Sequence, residues 1–429
     1  MTTRTSRTPR TAAATRRAQL TAIAGALFAR DGYHNVTVGD IAAAAGLSGP
    51  AIYRHFPGKQ AILAEVVRSG FDEMAQAVAA DLPGAELAST ELAGTELAGT
   101  DLAGTGDPAA RLHTTYRDLA AFVIRRPEFG VMWRREYRHL APADAAELAK
   151  RMGEASEATL VEIRRLRPDL PPEDAELLSW AALSVLGSIS DHRVRLPRAA
   201  FEELLAGMAM AVVGARVDGG DLDNRPQDQK PEPKTEGRRE QLLRAAAQLF
   251  WDRGYHAVTL EEIGAEAGIA GPSIYSHFAG KTDLLRTITE RIGERLRLTM
   301  VGDPATDLTT ARAALSTLAD RYVTTVLTSR DLVAAYFTEG HNLRERDRAE
   351  TRRFQRSYTA HWAALLSAAC PGLSAEEVRI RVLAAFAVVN DTARTRRLMD
   401  RPGLGAQLRQ LMLAVVLTPA GGARDVNRH

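Results

Sequence analysis

The sequence predicts an all-α protein built from two similar halves. Apolar residues recur at intervals of three and four along most of the chain, signals for β-hairpins are absent, and one long segment occurs twice. With 45% hydrophobic and 25% charged residues, the chain has the composition of a globular protein. At roughly 100–200 residues per domain, its 429 residues correspond to two to four domains.

The repeat is a tandem duplication. Residues 16–63 read RRAQLTAIAGALFARDGYHNVTVGDIAAAAGLSGPAIYRHFPGKQAIL, and residues 238–285 read RREQLLRAAAQLFWDRGYHAVTLEEIGAEAGIAGPSIYSHFAGKTDLL. About half of the aligned positions are identical, without a gap, at a constant offset of 222 residues. The similarity continues more weakly at an offset of 203, where WRREYRHL (133–140) aligns with YFTEGHNL (336–343). Each half therefore has a closely repeated N-terminal segment and a more divergent C-terminal segment.

The change of offset coincides with a five-residue repeat that has no counterpart in the second half. Residues 86–105 read ELAST-ELAGT-ELAGT-DLAGT, and we interpret them as a loop-like insertion because they lack a helical apolar face. Residues 217–237 are polar and rich in Pro and Gly, which indicates a linker. The predicted domains are a basic arm (1–15), a first N-terminal domain (16–63), a first helical domain (64–216), the linker, a second N-terminal domain (238–285) and a second helical domain (286–420).

Long helices are predicted in both halves. The first helix of each repeat has one apolar face, formed by Leu20, Ile23, Leu27 and Phe28 in the first copy and by Leu242, Ala245, Leu249 and Phe250 in the second. Helical spacing also covers residues 109–125, 143–166, 173–194, 309–327, 347–369 and 375–397.

Two short helices follow the first long helix of each repeat. In the first copy, Gly32 stands in a C-cap-like position, and Thr37-x-x-Asp40 resembles a capping box with Asp in place of Glu. Gly46 ends that short helix, and Pro50 stands near the start of the next. Such a pair of helices is a helix-turn-helix, whose second helix lies in the major groove of DNA.

The second copy has the same residues that start and end the short helices. Thr259-x-x-Glu262 is a full capping box, Gly268 ends the short helix, and Pro272 stands near the start of the next. Both copies resemble the DNA-binding domain of the TetR/AcrR family of bacterial transcriptional regulators. The shared pattern is F-x-x-x-G-Y-x-x-x-T-x-x-x-I-A/G-x-x-A-G-x-x-x-x-x-I-Y-x-H-F-x-x-K, present twice. The remainder of each half matches the family only in length and helicity.

The resemblance implies which residues contact DNA. We call the two N-terminal domains, residues 16–63 and 238–285, the heads. Phosphate contacts are expected from a threonine, a tyrosine, a histidine and a lysine in each head: Thr37, Tyr53, His55 and Lys59, then Thr259, Tyr275, His277 and Lys281. Base contacts are expected from Ser48, Gly49, Ala51 and Arg54 in the first head and from Ala270, Gly271, Ser273 and Ser276 in the second. Arg54 can bind guanine with two hydrogen bonds, which Ser276 cannot do.

Some of these residues have structural alternatives. Tyr53 is either a phosphate ligand or a core aromatic residue, whereas Phe56 is predicted to lie in the core. His55 is either a phosphate ligand or an ordinary surface histidine. The histidines that follow Tyr33 and Tyr255 recur in both copies, and we predict a structural role in the loop for them, not metal binding. Only 5 of the 55 basic residues are lysine, yet both copies keep the final lysine of the pattern, which favours a functional role.

The two copies differ in charge. In residues 16–63 five basic side chains oppose two acidic ones, whereas in residues 238–285 five oppose six. Because neutralising phosphates supplies much of the affinity for DNA, the first head is predicted to dominate salt-sensitive binding. Arg4, Arg7 and Arg10 precede the first head, and this arm either reaches into the minor groove or adds nonspecific charge as a tail.

The resemblance also implies a small-molecule pocket inside each helical domain. Candidate lining residues are aromatic or polar side chains in otherwise apolar helices: Trp133, Tyr137, His139 and Trp180, then Tyr336, Phe337, His341 and Trp362. The alternative for each is a place in the core or on the surface.

Other classes of protein are disfavoured. Motifs for nucleotide binding, serine hydrolysis and zinc peptidase chemistry are absent, and the ten histidines do not cluster with carboxylates at metal-ligand spacing. We therefore predict no enzyme activity, no cofactor and no metal. No apolar run is long enough for a membrane span, the N-terminus lacks the apolar region of a signal peptide, and the single Cys370 cannot form an intrachain disulfide. These features predict a cytoplasmic protein.

The sequence thus predicts a DNA-binding transcriptional regulator, a repressor released from its operator by an unidentified small-molecule effector. The alternative is a ligand- or protein-binding helical module in which one or both heads are vestigial. Family members dimerise through the last two helices of the helical domain, which implies an intrachain pseudo-dimer here, through residues 173–194, 199–215, 375–397 and 404–418. The alternative to the pseudo-dimer is a homodimer with four heads. Because the two heads of one chain differ, the expected partner is an asymmetric operator of double-stranded DNA.

Overall fold

The computed structural model describes residues 9–79, 107–217, 237–269, 271–300 and 308–419. All regular secondary structure within these ranges is helical, which confirms the predicted fold class. The 86–105 insertion, residues 218–236 of the linker, Ala270, and Arg4 and Arg7 of the arm lie outside the described residues.

The helices follow the two halves of the sequence. In the first half they are α1 (Pro9–Asp31), α2 (Val38–Ala44), α3 (Gly49–Ile52), α4 (Lys59–Ala79), α5 (Pro108–Arg125), α6 (Phe129–Val131), α7 (Pro142–Leu166), α8 (Pro172–Gly187) and α9 (Arg198–Val213). In the second half they are α10 (Arg238–Arg253), α11 (Leu260–Glu266), α12 (Gly271–Ile274), α13 (Lys281–Thr299), α14 (Leu308–Thr328), α15 (Arg330–Glu339), α16 (Glu345–Ala369), α17 (Ala375–Ala393), α18 (Arg396–Met399) and α19 (Leu404–Val416).

Some helix ends differ from the sequence prediction. Helix α1 begins at Pro9, within the segment predicted as an arm. The prediction of a helix over 173–194 was too long, because α8 ends at Gly187, a poor helix former, and passes into a 3₁₀ turn at Ser188–Asp191. The prediction over 375–397 was also too long, because α17 ends at Ala393.

Contacts within the chain define two units, of which the first comprises Met1–Thr105 and Phe122–Thr159. Here α1 packs on α4, and α1 buries Leu20 and Phe28 completely. Gly70 of α4 is required by packing, since a Cβ there would lie 2.5 Å from the ring of Phe129. That ring meets the ring of Phe71 edge-on, with centroids 5.2 Å apart.

The second unit comprises Gly106–Ala121 and Leu160–His429, and it holds helices from both halves of the sequence. Helices α8 and α9 of the first half pack on α17 and α19 of the second half. These helices bury small apolar side chains, including Ala181, Ala182 and Val185 in α8 and Ala384, Ala385 and Val388 in α17. This packing is the reason that the contact units do not follow the sequence repeat.

None of the described helices combines the length and the apolarity needed to cross a membrane.

Candidate nucleic-acid interface

The predicted capping boxes are confirmed in both heads. Thr37 Oγ1 accepts a hydrogen bond from the Asp40 N–H at 3.1 Å, and the Asp40 carboxylate accepts one from the Thr37 N–H at 2.8 Å. The equivalent distances between Thr259 and Glu262 are 3.2 and 2.7 Å. Because these hydrogen bonds favour the charged carboxylate, the pKa values of Asp40 and Glu262 lie below their ordinary values. Each threonine hydroxyl also donates to its carboxylate, so a phosphate contact through it requires that bond to exchange.

The turn between the two short helices closes in the same way in each head. Gly46 has φ +66°, and Leu47 N–H donates to Ala42 O at 2.9 Å. In the second head Gly268 has φ +65°, and the corresponding bond joins Ile269 N–H to Gly264 O at 2.8 Å. A positive φ at this position favours glycine, and the bond pattern is a Schellman motif. The glycines predicted to end these helices therefore fix the angle at which the next helix leaves.

The recognition helix of the first head, taken as α3 together with the turn that follows it to Phe56, has a buried side and an exposed side. Ile52 and Phe56 are buried, which confirms the core position predicted for Phe56. Tyr53 is 59% exposed, and Ser48 and Arg54 are also exposed. Gly49, Ala51 and His55 are half-buried. Of the residues in this segment that are expected to contact DNA, Ser48, Tyr53 and Arg54 are therefore accessible.

The recognition helix of the second head repeats this arrangement in the described residues. Ile274 and Phe278 are buried, whereas Tyr275 is 58% exposed. Ser276 is exposed but its hydroxyl donates to Ser273 O at 2.7 Å, so it is partly engaged within the helix. Gly271 begins the helix, and Ser273 and His277 are half-buried.

The lysine that begins the fourth helix of each head is bound to the loop before the second helix. Lys59 Nζ donates to Tyr33 O at 2.9 Å and to Val36 O at 3.0 Å, and lies 4.3 Å from the centre of the Tyr33 ring. Lys281 Nζ donates to Tyr255 O at 2.8 Å and to Val258 O at 2.6 Å. Burial lowers the pKa of both lysines. Two of the three ammonium donors thus hold the loop, and a phosphate contact is left to the third.

An arginine early in the first helix of each head contacts the recognition helix, a contact that was not predicted from the sequence. Arg17 Nη1 donates to His55 O at 2.7 Å, and its guanidinium lies 4.3 Å from the centre of the Phe56 ring. Arg239 makes the same two contacts, with His277 O and with the ring of Phe278 at 4.1 Å. The Arg-Arg pair that opens both repeats was the available signal. These arginines fix the C-terminal end of the recognition helix.

In the first unit, the head is joined to a segment that follows α6. A π-helical turn at Met132–Glu136 carries Glu136, which is 1% exposed and accepts a 3.0 Å hydrogen bond from Tyr33 N–H. Arg135 pairs with Glu136 and donates to Phe28 O at 2.7 Å and to Ala29 O at 2.9 Å. Two hydrogen bonds therefore join this turn to the C-terminal end of α1, and a third joins it to the loop that follows α1.

The second head is joined to the equivalent segment by different bonds. His256 and Asn342 are 2.8 Å apart, from Nε2 to Oδ1, and Asn342 Nδ2 donates to Glu339 at 3.0 Å. Glu339 is 1% exposed and aligns with Glu136 at the offset of 203. The position of Arg135 is taken by Thr338, whose hydroxyl donates to Ala334 O within its own helix. His256 thus contacts a neighbouring side chain, as its predicted structural role requires.

The eight predicted pocket residues, four in each helical domain, have different surroundings. Trp133 meets Phe71 and Tyr137 edge-on, and His139 stacks on Tyr33 with centroids 5.3 Å apart. Trp180 lies beneath Arg397, Phe337 is 39% exposed beside Arg394, His341 lies in the 3₁₀ turn Gly340–Asn342, and Trp362 is buried against Tyr322 and Phe386.

Tyr336, one of the pocket candidates, lines a described cavity. This cavity has a volume of about 90 Å³ and lies among Arg286, Arg297, Asp347 and Phe354 of α13 and α16. It is smaller than the cavities of about 300–1,000 Å³ that hold most ligands. In the part of the chain that the structure describes, no three His, Cys, Asp or Glu side chains are grouped so that they could hold a metal ion.

Comparison with known proteins matches the two heads to one family. The profile described as "Bacterial regulatory proteins, tetR family" matches residues 20–66 and 242–288. The transcriptional activator FasR of Mycolicibacterium smegmatis is 46% identical over 54 residues, which are 13% of this chain and 25% of that protein. The transcriptional repressor KstR2 of the same species is 41% identical over 51 residues, 12% of this chain and 25% of that protein. The chain thus matches these relatives over about a quarter of their length.

Solved structures resemble the chain over less than half of its length. The regulator PfmR of Thermus thermophilus is 18% identical with a TM-score of 0.35, covering 41% of this chain and 96% of its own. FadR of Bacillus subtilis, solved in complex with stearoyl-CoA, is 18% identical with a TM-score of 0.32, covering 42% of this chain and 99% of its own.

Proposed function

The chain belongs to the TetR family, as a tandem duplication of that family's regulator, and from this premise we propose that it is a DNA-binding transcriptional regulator with two unlike heads. The observation that carries the proposal is the exposed side of both recognition helices. Tyr53 and Tyr275 are 59% and 58% exposed. In each recognition helix a buried isoleucine and a buried phenylalanine pack into the core on the opposite side. A large aromatic hydroxyl held on the surface by a rigid helix suits a phosphate contact.

We propose that both heads serve one operator because one chain supplies both halves of the dimer interface. The packing of α8 and α9 on α17 and α19 supports this pseudo-dimer, since these are the helices by which family members pair. Two recognition helices on one operator read half-sites about 34–36 Å apart per helical turn of DNA. Unlike recognition helices then call for unlike half-sites, so the operator is asymmetric.

We propose that the regulator acts as a repressor in the cytoplasm and leaves its operator when a small molecule binds a helical domain. A shift of a few ångströms in the spacing of the heads misplaces one recognition helix in its groove. The bonds that join each head to the segment around Glu136 or Glu339 provide a route for such a shift. FasR is named an activator and KstR2 a repressor, so the direction of regulation is part of the proposal.

A gel shift with the DNA upstream of the protein's own gene tests the proposal. We expect a shift of the DNA band that weakens as the salt concentration rises and that persists in the presence of nonspecific competitor DNA. Light scattering at micromolar concentration tests the assembly, and we expect a mass near 46.5 kDa for the chain. Lack of a shift at any salt concentration would favour the second candidate, a helical module with vestigial heads. The acidic character of the second head, with Glu261 and Glu266 exposed, favours that candidate for this head alone.

A further inference from the structure

The bundle formed by α8, α9, α17 and α19 carries contacts that occur on only one side of its pseudo-symmetry. From them we propose that the bundle face of each half fits the other half of the chain and disfavours a second copy of itself. The inference rests on the pseudo-dimer proposed above. It concerns what the two faces recognise, and it holds whatever DNA the heads bind.

The first one-sided contact is an ion pair between the halves. Arg401 pairs with the Asp174 carboxylate and donates to Glu173 O at 2.6 Å. The two side chains are only 11% and 17% exposed, so solvent screens their attraction little. This contact joins the segment before α19 to the first turn of α8.

The mirrored position holds the same charges in a different arrangement. At the offset of 203, Arg198 corresponds to Arg401 and Glu377 corresponds to Asp174. Arg198 pairs with Glu202 of its own helix at 2.7 Å, and Glu377 caps α17 through Ser374. The arginine and the acid are thus bound within their own halves, and the ion pair forms across the interface only once.

The second contact distinguishes unlike from like pairing by charge. Glu176 of α8 pairs with Arg397 at 3.0 Å, across the two halves. The residue equivalent to Glu176 is Arg379, and the residue equivalent to Arg397 is Val194. The charge of Arg379 helps to lower the pKa of His192, two residues before Val194. Two second halves would therefore oppose Arg397 with Arg379, and two first halves would leave Glu176 opposite valine.

The third contact lies in the interior. Gln407 of α19 is 4% exposed, and its Nε2 donates to Val217 O at 3.2 Å, after the end of α9. The residue equivalent to Gln407 is Leu204, which has no hydrogen-bond donor in its side chain. A pair of first halves would therefore leave the buried Val217 carbonyl without this donor, which is unfavourable.

Together these contacts make unlike pairing the favoured arrangement. A like pair of second halves brings two arginines together, and a like pair of first halves loses one ion pair and one buried hydrogen bond. The partner that fits each face is the other half of the same chain, which is already tethered beside it. A second molecule, or a related single-length regulator, meets a face of the wrong charge.

Charge variants of the full-length chain test the proposal. Glu176→Arg gives α8 the charge that α17 carries at the equivalent position, and Glu176→Arg with Arg397→Glu restores opposite charges in reversed order. Arg379→Gln is the matched control, because it changes the equivalent exposed position of the other half. Melting temperatures are measured at 50 and at 500 mM NaCl, with the mass of each variant determined by light scattering.

We expect Glu176→Arg to lower the melting temperature by about 1–3 °C at 50 mM NaCl and by less at 500 mM NaCl. The charge-reversed pair should return to within about 1 °C of the parent, and Arg379→Gln should match the parent. Gln407→Leu, which does not depend on salt, should lower the melting temperature further, by about 3–6 °C. Equal shifts for Glu176→Arg and Arg379→Gln, or a reversed pair no more stable than Glu176→Arg, would overturn the proposal. The melting and light-scattering measurements do not involve DNA. A failure of the operator proposal would therefore appear only in the gel shift and would leave these results unchanged.

Discussion

The backbone N–H of Tyr33 donates a 3.0 Å hydrogen bond to the carboxylate of Glu136, which is 1% exposed. The carbonyl of the same residue accepts a hydrogen bond from Lys59 at the start of α4. Glu136 also acts electrostatically on Lys59. Tyr33, in the loop before α2, is therefore bonded to Lys59 of the head through its carbonyl and to Glu136 of the segment after α6 through its amide.

We predict that Glu136→Gln destabilises the first unit by about 1–3 kcal/mol, because Arg135 loses the negative charge that it pairs with in a buried site. Urea unfolding followed by tryptophan fluorescence measures the change. Hydrogen exchange of a peptide containing Tyr33 should become faster, because its amide loses a charged acceptor. Glu147→Gln, on the exposed surface of α7, is the control and should change the unfolding free energy by less than about 0.5 kcal/mol. Similar values for the two variants would contradict the role assigned to Glu136.

We predict that Lys59→Met lowers the unfolding free energy by about 1–2 kcal/mol even without DNA, since two backbone carbonyls lose their donor. Lys281→Met should behave in the same way, because it removes the same pair of bonds from the second head. Lys150→Met, at an exposed position of α7, serves as the control. Chemical denaturation and operator titration are run on the same preparations. A loss of DNA affinity without any loss of stability would show that the lysine is chiefly a phosphate ligand.

The heads could be predicted from the sequence because their geometry is set by neighbouring residues. A capping box spans three residues and a helix-ending glycine acts within one turn, so Thr37, Asp40 and Gly46 could be interpreted from spacing alone. The contacts of Arg17 with His55, 38 residues away, depend on how α1 crosses the recognition helix. Spacing contains no information about that crossing, and the second arginine of the Arg-Arg pair was therefore missed.

The helical domains were predicted less well for the same reason. The bond between Tyr33 and Glu136 joins residues 103 positions apart, and the ion pair between Asp174 and Arg401 joins residues 227 apart. Periodicity identified the helices that carry these residues but not the faces that meet. Among the aromatic pocket candidates, Trp362 is fully buried against Tyr322 and Phe386, because size and apolarity suit the core as well as a cavity wall.

We predict that His192 makes the bundle sensitive to mild acid. Burial, together with the smaller effects of the Arg195 and Arg379 charges, lowers the pKa of His192 to about 4. Because the unfolded chain binds this proton more readily, with a pKa of about 6.5, stability is complete above pH 6.5 and declines as the pH falls toward 4. The loss should reach about 2 kcal/mol at pH 5.

His192→Asn tests this prediction, because asparagine is polar and carries no titrating proton. The difference in melting temperature between pH 7.5 and pH 5 should be smaller for this variant than for the parent. His361→Asn removes a histidine from α16 of the other half, and it should keep the pH dependence of the parent. An unchanged pH dependence in His192→Asn would refute the assignment.

The two heads should contribute unequally to DNA binding. Tyr53 and Tyr275 are equally exposed, so any difference between them on DNA must come from their surroundings. Beside Tyr53 the next residue is the exposed Arg54, whereas beside Tyr275 it is Ser276, whose hydroxyl is bonded within the helix. The second head also exposes Glu261 and Glu266, which repel phosphates.

We therefore predict that Tyr53→Ala weakens operator binding about 10-fold or more, as expected for a lost bond to a charged group, and Tyr275→Ala less than about 3-fold. Titrations of the upstream DNA at two salt concentrations measure both losses and the salt dependence of each. Glu261→Gln combined with Glu266→Gln removes two negative charges from the second head. In this background the loss of affinity caused by Tyr275→Ala should become closer to the loss caused by Tyr53→Ala. Equal losses from the two tyrosine substitutions would mean that the heads contribute alike, and that the operator need not be asymmetric.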